Sequence, residues 1–298
     1  MSTKFKEKPS RILFLIVNAV ILLLITYVCV IPIWHMIMAS LSNPTALNTH
    51  KGMVYFPLKN VDLQAYKIIL QYSKLWSSYL NTIIYIVCTC ALTAVLTTIA
   101  GYIFSRKSFF LRNGFIMIIS FTMLFNGGMI PNYIVVKNIG LTNTALSMII
   151  PGALNFFYII IMRTAMDNIP NELAEAAKID GASDLKILWK VILPLCKATF
   201  AVIMLFTAVA KWNDYFSALL YLTTRRDLYP LQMILREILI TSTSDISTNS
   251  ANIVENASIY KKAIEYACIV VSTLPIICIY PFVQKYFVTG VTLGAVKS

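Results

Sequence analysis

Charge is scarce in this chain. Asp, Glu, Lys and Arg make up only 13% of its 298 residues against 58% hydrophobic residues, and the mean hydropathy is +0.73. So little polar surface excludes a soluble globule and leaves an integral membrane protein. Histidine is nearly absent, with only His35 and His50. The six cysteines (Cys29, Cys88, Cys90, Cys196, Cys268 and Cys278) lie in or beside apolar segments without a C-x-x-C pair, which argues against a disulfide framework and against a zinc site. No glycine is followed directly by lysine, so there is no G-x-x-x-x-G-K-[ST] phosphate loop and the chain cannot itself be an ATPase of that type. No Ser, Cys or carboxylate cluster shares a suggestive spacing with a histidine, so the isolated chain is expected not to be an enzyme. Acidic residues are also few, 13 against 25 Lys and Arg, giving a net charge of +12. Such a surplus can signal nucleic acid, but much of it sits beside apolar runs, where cytoplasmic flanks and anionic headgroups attract it. A lipid bilayer is the expected partner, and nucleic acid is not.

What the chain has is length of apolar sequence. About 20 apolar residues cross a hydrocarbon core of about 30 Å as a helix. Six runs of that size stand out, at about Ile12 to Trp34, Tyr79 to Phe104, Phe115 to Val136, Thr142 to Met162, Ala198 to Leu222 and Ala263 to Val288. The first is longer than the roughly 7 to 15 apolar residues of a signal peptide, so it reads as a span. The third is interrupted by NGGMIP at Asn126 to Pro131. Gly127, Gly128 and Pro131 either break that span and expose backbone to a cavity or form the outer turn after a shorter helix. The fold class is therefore all-α, a polytopic membrane protein with six transmembrane helices. It forms one domain over 1–298, with its core at about 75–288.

Lys4, Lys6, Lys8 and Arg11, then Arg106, Lys107 and Arg112, then Arg163 through Lys197, share one side if the spans alternate. That side is expected to be cytoplasmic, with both termini on it. Lys51, Lys59, Lys67, Lys74, Arg225, Arg226 and Arg236 fall on the other side, mostly within two long loops that count for less. Those loops, His35 to Ser78 and Thr223 to Lys262, are long enough for short external helices and carry no metal or catalytic pattern.

The segment at about 170–194 has a shape of its own. Pro170 suits a first helical position, and Glu172 and Glu175 place negative charge where the helix dipole favours it. Ala174, Ala176 and Ala177 give a thin helical body, and Asp180-Gly181 supplies a turn in which only glycine is comfortable at positive φ. Ser183 or Asp184 can cap a second helix with Leu185, Leu188, Trp189 and Ile192 on one face and Lys186 and Lys190 on another, suited to the membrane interface. Pro194 is expected to end it. Physics alone allows either a docking element for a cytosolic partner or an ordinary amphipathic connector.

The residues resemble a known pattern. Glu175-Ala176-Ala177, Gly181 and Leu193-Pro194 resemble the EAA loop of permease subunits of binding-protein-dependent ABC importers. IDGAS at Ile179 to Ser183, GGMIPNYIVVKNIGL at Gly127 to Leu141, WNDYFSALLYL at Trp212 to Leu222 and the terminal TGVTLGAVKS are similar to the maltose-permease-like carbohydrate branch, and within it to LplC-type subunits of oligosaccharide importers. Ala198 departs from the pattern, because many relatives carry a second proline there, and the fifth span is accordingly expected to start without a break.

The resemblance implies a type I ABC importer permease fold, with a cytoplasmic coupling helix seated in a cleft of an ATPase subunit. Glu175, Ala176, Ala177, Asp180 and Gly181 would make the coupling contact, Glu175 with a cationic group and Ala176, Ala177 and Gly181 by close packing. Closure of an ATPase dimer, which would hold ATP and Mg, would then alternate access; this chain itself needs no cofactor. The implied partners are a second, similar permease, the ATPase dimer and an extracellular sugar-binding protein, in a bacterial plasma membrane. The tail at Gly290 to Lys297 resembles a family tail near the ATPase interface and equally suits a frayed terminus.

The path for a solute is less legible. Lys211 and Asp214 share one face of the fifth span at i and i+3, flanking Trp212 and Asn213, and such groups either line an aqueous path or form a local ion pair about 20 Å up the helix from Ala198. Trp212, Tyr215, Phe216 and Tyr221 could stack on sugar rings or belong to an interfacial aromatic belt. A secondary solute transporter is the alternative. It would need ion sites within the spans and often an inverted repeat, of which the sequence shows little.

Overall fold

The computed structural model describes residues 9–125, 127–240 and 254–295. Lys4, Lys6, Lys8 and the last residues of the tail lie outside them. In chain order the α-helices are α1 (Pro9–Ser40), α2 (Pro44–Thr49), α3 (Gln64–Gln71), α4 (Ser73–Ser105), α5 (Arg112–Leu124), α6 (Met129–Asn138), α7 (Leu146–Ala153), α8 (Phe156–Asp167), α9 (Asn171–Ile179), α10 (Asp184–Ile187), α11 (Leu193–Leu195), α12 (Lys197–Trp212), α13 (Phe216–Tyr221), α14 (Leu231–Ile240) and α15 (Val254–Ala295). A π-helical turn, Leu188–Ile192, joins α10 to α11.

By length and composition, α1 and α4 each suffice to cross a membrane, and counting each bent helix pair as one span raises the number among the described residues to as many as five. The third expected span is not continuous: α5 and α6 meet at a 115° bend beside Gly128, whose φ is +91°. The fourth bends by 45° between α7 and α8, where Asn155 caps α8 by accepting from the Phe157 N–H. The fifth breaks after Trp212, and α13 forms a separate turn. The expected sixth falls inside α15.

The described residues fall into two compact units. The first contains α1, α2, α3 and the N-terminal half of α15. None of the most apolar stretch of α1 is buried within the chain, and a helix apolar on all sides is stable only in lipid or against other helices. The following loop is held by specific bonds. Ser42 Oγ donates to the Met38 carbonyl and accepts from the Leu58 N–H, and Trp34 Nε1 donates to the Tyr55 carbonyl. Asn43 caps α2, and Tyr260 donates to Asp62.

The second unit is organised around α4, on which α7, α8 and α12 pack. A stripe winding along α4 carries Ser78, Thr82, Thr89, Thr93, Thr97, Gly101 and Ser105 at spacings of four or seven, all buried. Small residues let helix backbones approach in lipid, where no hydrophobic force drives them together. At Gly101 the approach is tight, since a Cβ would lie 3.0 Å from Met162 Cγ and 3.3 Å from the Arg163 nitrogen. Hydroxyls add specific bonds: Thr93 Oγ1 donates to the Ala153 carbonyl freed at the α7–α8 bend, and Thr82 Oγ1 accepts from the Leu231 N–H. Two arginines converge on one carboxylate where α5 begins and α8 ends. Arg112 and Arg163 reach Asp167 at 2.9 and 3.3 Å, and Arg163 Nε also donates to the Phe104 carbonyl. This ties α5 and α8 to the end of α4.

Candidate functional site: an exposed helical turn and a polar cavity

The Glu175 segment forms the two helices that its residues suggest, with shifted details. Pro170 stands as N-cap rather than as the first helical residue, and α9 begins at Asn171. Glu172 lies in its first turn and Lys178 in its last, both signs favourable to the dipole. The end of α9 is a Schellman motif: the Ala182 N–H donates to the Ala177 carbonyl at 3.0 Å, and the Gly181 N–H to the Lys178 carbonyl at 3.1 Å. Gly181 has φ +76°, the left-handed conformation that this motif requires.

Beyond the turn, Ser183 is the N-cap but makes no side-chain bond. The buried face consists of Ile187, Leu188 and Ile192, while Leu185 and Trp189 are exposed, which corrects the expected grouping. Pro194 shapes the turns that follow. It has no N–H for the Lys190 carbonyl and its ring crowds that carbonyl, so the helix widens to π geometry just upstream. The helix then ends at Leu195 rather than at Pro194, and an 85° bend at Cys196 leads into α12. That bend corrects the expectation drawn from Ala198, because one proline suffices.

Ala174, Ile187, Leu188 and Ile192 join a core with Tyr102, Met162, Met166 and Ile203, and Ala177 packs against it. Glu175, Ala176, Asp180 and Gly181 stay exposed. The α9 helix therefore rests on this core by two alanines and turns its acidic face outward. Leu173 and Ile179 are apolar and exposed nearby, Ile179 at 87%. A hollow of about 660 Å³ beside it is lined by Tyr102, Arg106, Ala174, Glu175 and Lys178. Arg106 covers the Tyr102 ring at 4.3 Å, which orders the α4 end of this hollow.

Elsewhere in the same unit, a cavity of about 740 Å³ is lined by residues including Asn132, Gly152, Asn155, Lys211, Asp214 and Tyr221. Its volume lies in the range of small-ligand sites. The broken spans build it: the bend at Gly128 sets α6, the bend at Asn155 sets α7, and the break after Trp212 frees Asp214. Lys211 Nζ and Asp214 Oδ2 pair at 2.8 Å with side chains only 9% and 16% exposed, and Asp214 Oδ1 accepts from the Ser217 N–H at the start of α13. The pair is thus both local and cavity-lining. Asn213 lines the cavity too, whereas Trp212 lies outside its lining, edge-on to Tyr79. Of the aromatic candidates, Tyr221 lines the cavity and stacks on Tyr133 at 6.3 Å. Tyr215 instead faces Arg236.

Sequence reasoning missed Gly152, Asn155 and Asn132. Asn155 was marked only by its position one residue before a helix start. Gly152 had no local signal, because its importance comes from α12: a Cβ there would lie 2.7 Å from Lys211 Cε and 2.9 Å from Nζ.

These features have counterparts in known proteins. Residues 94–293 match the family described as binding-protein-dependent transport system inner membrane component. The chain is 37% identical over 277 residues to the polygalacturonan/rhamnogalacturonan transport system permease protein YtcP of Bacillus subtilis (strain 168), covering 93% of this chain and 96% of that protein. It is 36% identical over 296 residues to Protein LplC of the same organism, covering 99% and 98%. Among solved structures, a bacterial ABC transporter involved in the import of the acidic polysaccharide alginate contains a chain that superposes with a TM-score of 0.84 at 35% identity. That alignment covers 96% of this chain and all of the other. An ATP-driven importer thereby displaces the secondary-transporter alternative. The chain belongs to the binding-protein-dependent inner-membrane components and is a non-catalytic, multi-pass plasma-membrane permease subunit of a carbohydrate ABC importer.

Proposed function

We propose that the chain crosses the membrane six times with both termini in the cytoplasm, as one transmembrane domain that pairs with a second, similar permease. A separate ATPase dimer holds ATP and Mg and grips the chain at Glu175, Ala176, Ala177, Asp180 and Gly181. An extracellular sugar-binding protein delivers the cargo. The observation that carries this reading is the exposure of a well-capped helix whose inward face is two alanines and whose outward face combines Glu175 with uncovered Leu173 and Ile179. Their exposure beside an acidic face, rather than in an uncharged apolar run, supports a protein partner that covers them.

The cavity at Lys211, Asn213 and Asp214 is the stretch of path that this chain contributes, with Trp212 supporting its wall. Its cargo is an acidic oligosaccharide. Support comes from the names of the similar proteins, one concerned with polygalacturonan and rhamnogalacturonan and one with alginate. The test is copurification with uptake. Glu175→Lys and Gly181→Trp should each lose ATPase retention or oligosaccharide uptake, while the permease pair remains in the membrane. Normal retention and uptake in both variants would overturn the docking assignment.

A further inference from the structure

Among the described residues lining the cavity, Lys211 is the one cation and Asp214 the one carboxylate. A nearly buried ion pair is not needed for packing, since well-packed apolar residues serve as well or better. Within a membrane protein, ionisable groups mark paths and ligands.

The two members are held differently. Asp214 is tethered twice, by Lys211 through Oδ2 and by the Ser217 N–H through Oδ1. Lys211 has a flexible four-carbon stem, and its Cε and Nζ lie over Gly152 where any Cβ would intrude at 2.7 and 2.9 Å. The ammonium can therefore shift toward a ligand while Asp214 stays in place.

We propose that Lys211, seated on Gly152, takes the carboxylate of a uronate residue in the passing oligosaccharide, and that Asp214 displaces it again. This rests on the reading of the cavity as a sugar path. Exchanging one carboxylate for another keeps the lysine paired throughout. An unopposed buried lysine would hold an acidic sugar too long, whereas a path needs binding strong enough to admit and weak enough to release. Gly152 and Asp214 are positioning residues in this scheme.

The test uses the assembled transporter with trigalacturonate and its fully methyl-esterified form, which has the same length without the charge. Binding of each to the solubilised complex gives an acid-to-ester affinity ratio, and uptake into proteoliposomes is measured in parallel. The ratio should exceed one in the wild type and fall roughly tenfold or more in Gly152→Ala and in the double variant Lys211→Met/Asp214→Asn, as expected for loss of a charge-assisted hydrogen bond. The double variant leaves no unpaired charge, and Gly152→Ala moves only the end of a flexible side chain, so both should fold. Asp214→Asn alone should bind the acid more tightly and release it more slowly. A wild-type ratio near one, or a ratio unchanged in both test variants, would overturn the proposal. Wild-type transporter that moves no oligosaccharide at all would instead overturn the sugar-path reading, and the proposal with it.

Discussion

Gly181 offers a sharp separation of local geometry from steric fit. Its φ is +76° and no atom lies within 4 Å of the place a Cβ would occupy, so a substitution there meets a backbone penalty and no clash. A left-handed residue costs roughly 1–2 kcal/mol for an ordinary side chain, more for a β-branched one, and least for asparagine. The penalty acts on two bonds, Ala182 N–H to Ala177 O and Gly181 N–H to Lys178 O. Since α9 joins the core by the small side chains of Ala174 and Ala177, and its Lys178–Asp184 ion pair is exposed, the strain should be relieved by fraying this end rather than by unfolding the chain. A shift of about 1–2 kcal/mol changes the frayed population by about 5–30-fold. Gly181→Val should therefore raise amide exchange across 176–182 and depress ATPase retention and uptake, with thermal stability of the purified complex nearly unchanged. Gly181→Asn should behave close to the wild type. If Val leaves exchange and uptake intact, or Asn is as damaging as Val, the turn is not what holds the coupling helix in shape.

Three other outcomes follow from individual side chains. Thr93→Val should lower thermal stability in detergent by roughly 1–3 kcal/mol, because it orphans the Ala153 carbonyl at the α7–α8 bend, whereas Thr97→Val should cost little, since Thr97 Oγ1 has no partner to lose. Equal costs for the two would refute the distinction. Asp167→Asn should destabilise by roughly 1–3 kcal/mol by weakening the hold on Arg112 and Arg163, and Arg163→Lys should not substitute fully, since lysine cannot reach Asp167 and the Phe104 carbonyl together; thermal melts of the two variants against the wild type check this. Glu175→Lys should leave the melting temperature of the permease unchanged because the side chain is exposed, while reducing ATPase retention on an affinity column. A lowered melting temperature would mean that Glu175 supports the fold.

What the sequence disclosed and what it withheld divide along physical lines. Apolar length disclosed α1 and α4, because crossing a bilayer is a demand each helix meets by itself. The Gly181 turn was legible for the same reason: a Schellman motif is written within six residues, and Asp180-Gly181 marks it. The breaks at Gly128, Asn155 and Trp212 were only partly legible, since a broken span satisfies its freed backbone groups from other helices, and those partners are far away in sequence. Thr93 illustrates this at a distance of 60 residues from Ala153. The faces of the segment after Gly181 were misjudged because the buried side is set by what packs on it: Tyr102, Met162, Met166 and Ile203 cover Ile187, Leu188 and Ile192, and all four come from other helices.

Gly152 is the extreme case. Nothing around it in sequence distinguishes it from the other glycines, and only the arrival of Lys211 from α12 gives its missing Cβ a meaning. The same holds for the ion pair itself. The i, i+3 spacing predicted that Lys211 and Asp214 could meet, but a helix surface and a cavity wall give that spacing equally well. The side chains are 9% and 16% exposed, and the break at Asn213 lets Asp214 accept from the Ser217 N–H, so the carboxylate is held independently of the lysine. Independent anchoring separates a pair that can exchange partners from one that merely closes a helix end, and it is what makes the acid-to-ester ratio of Gly152→Ala decisive.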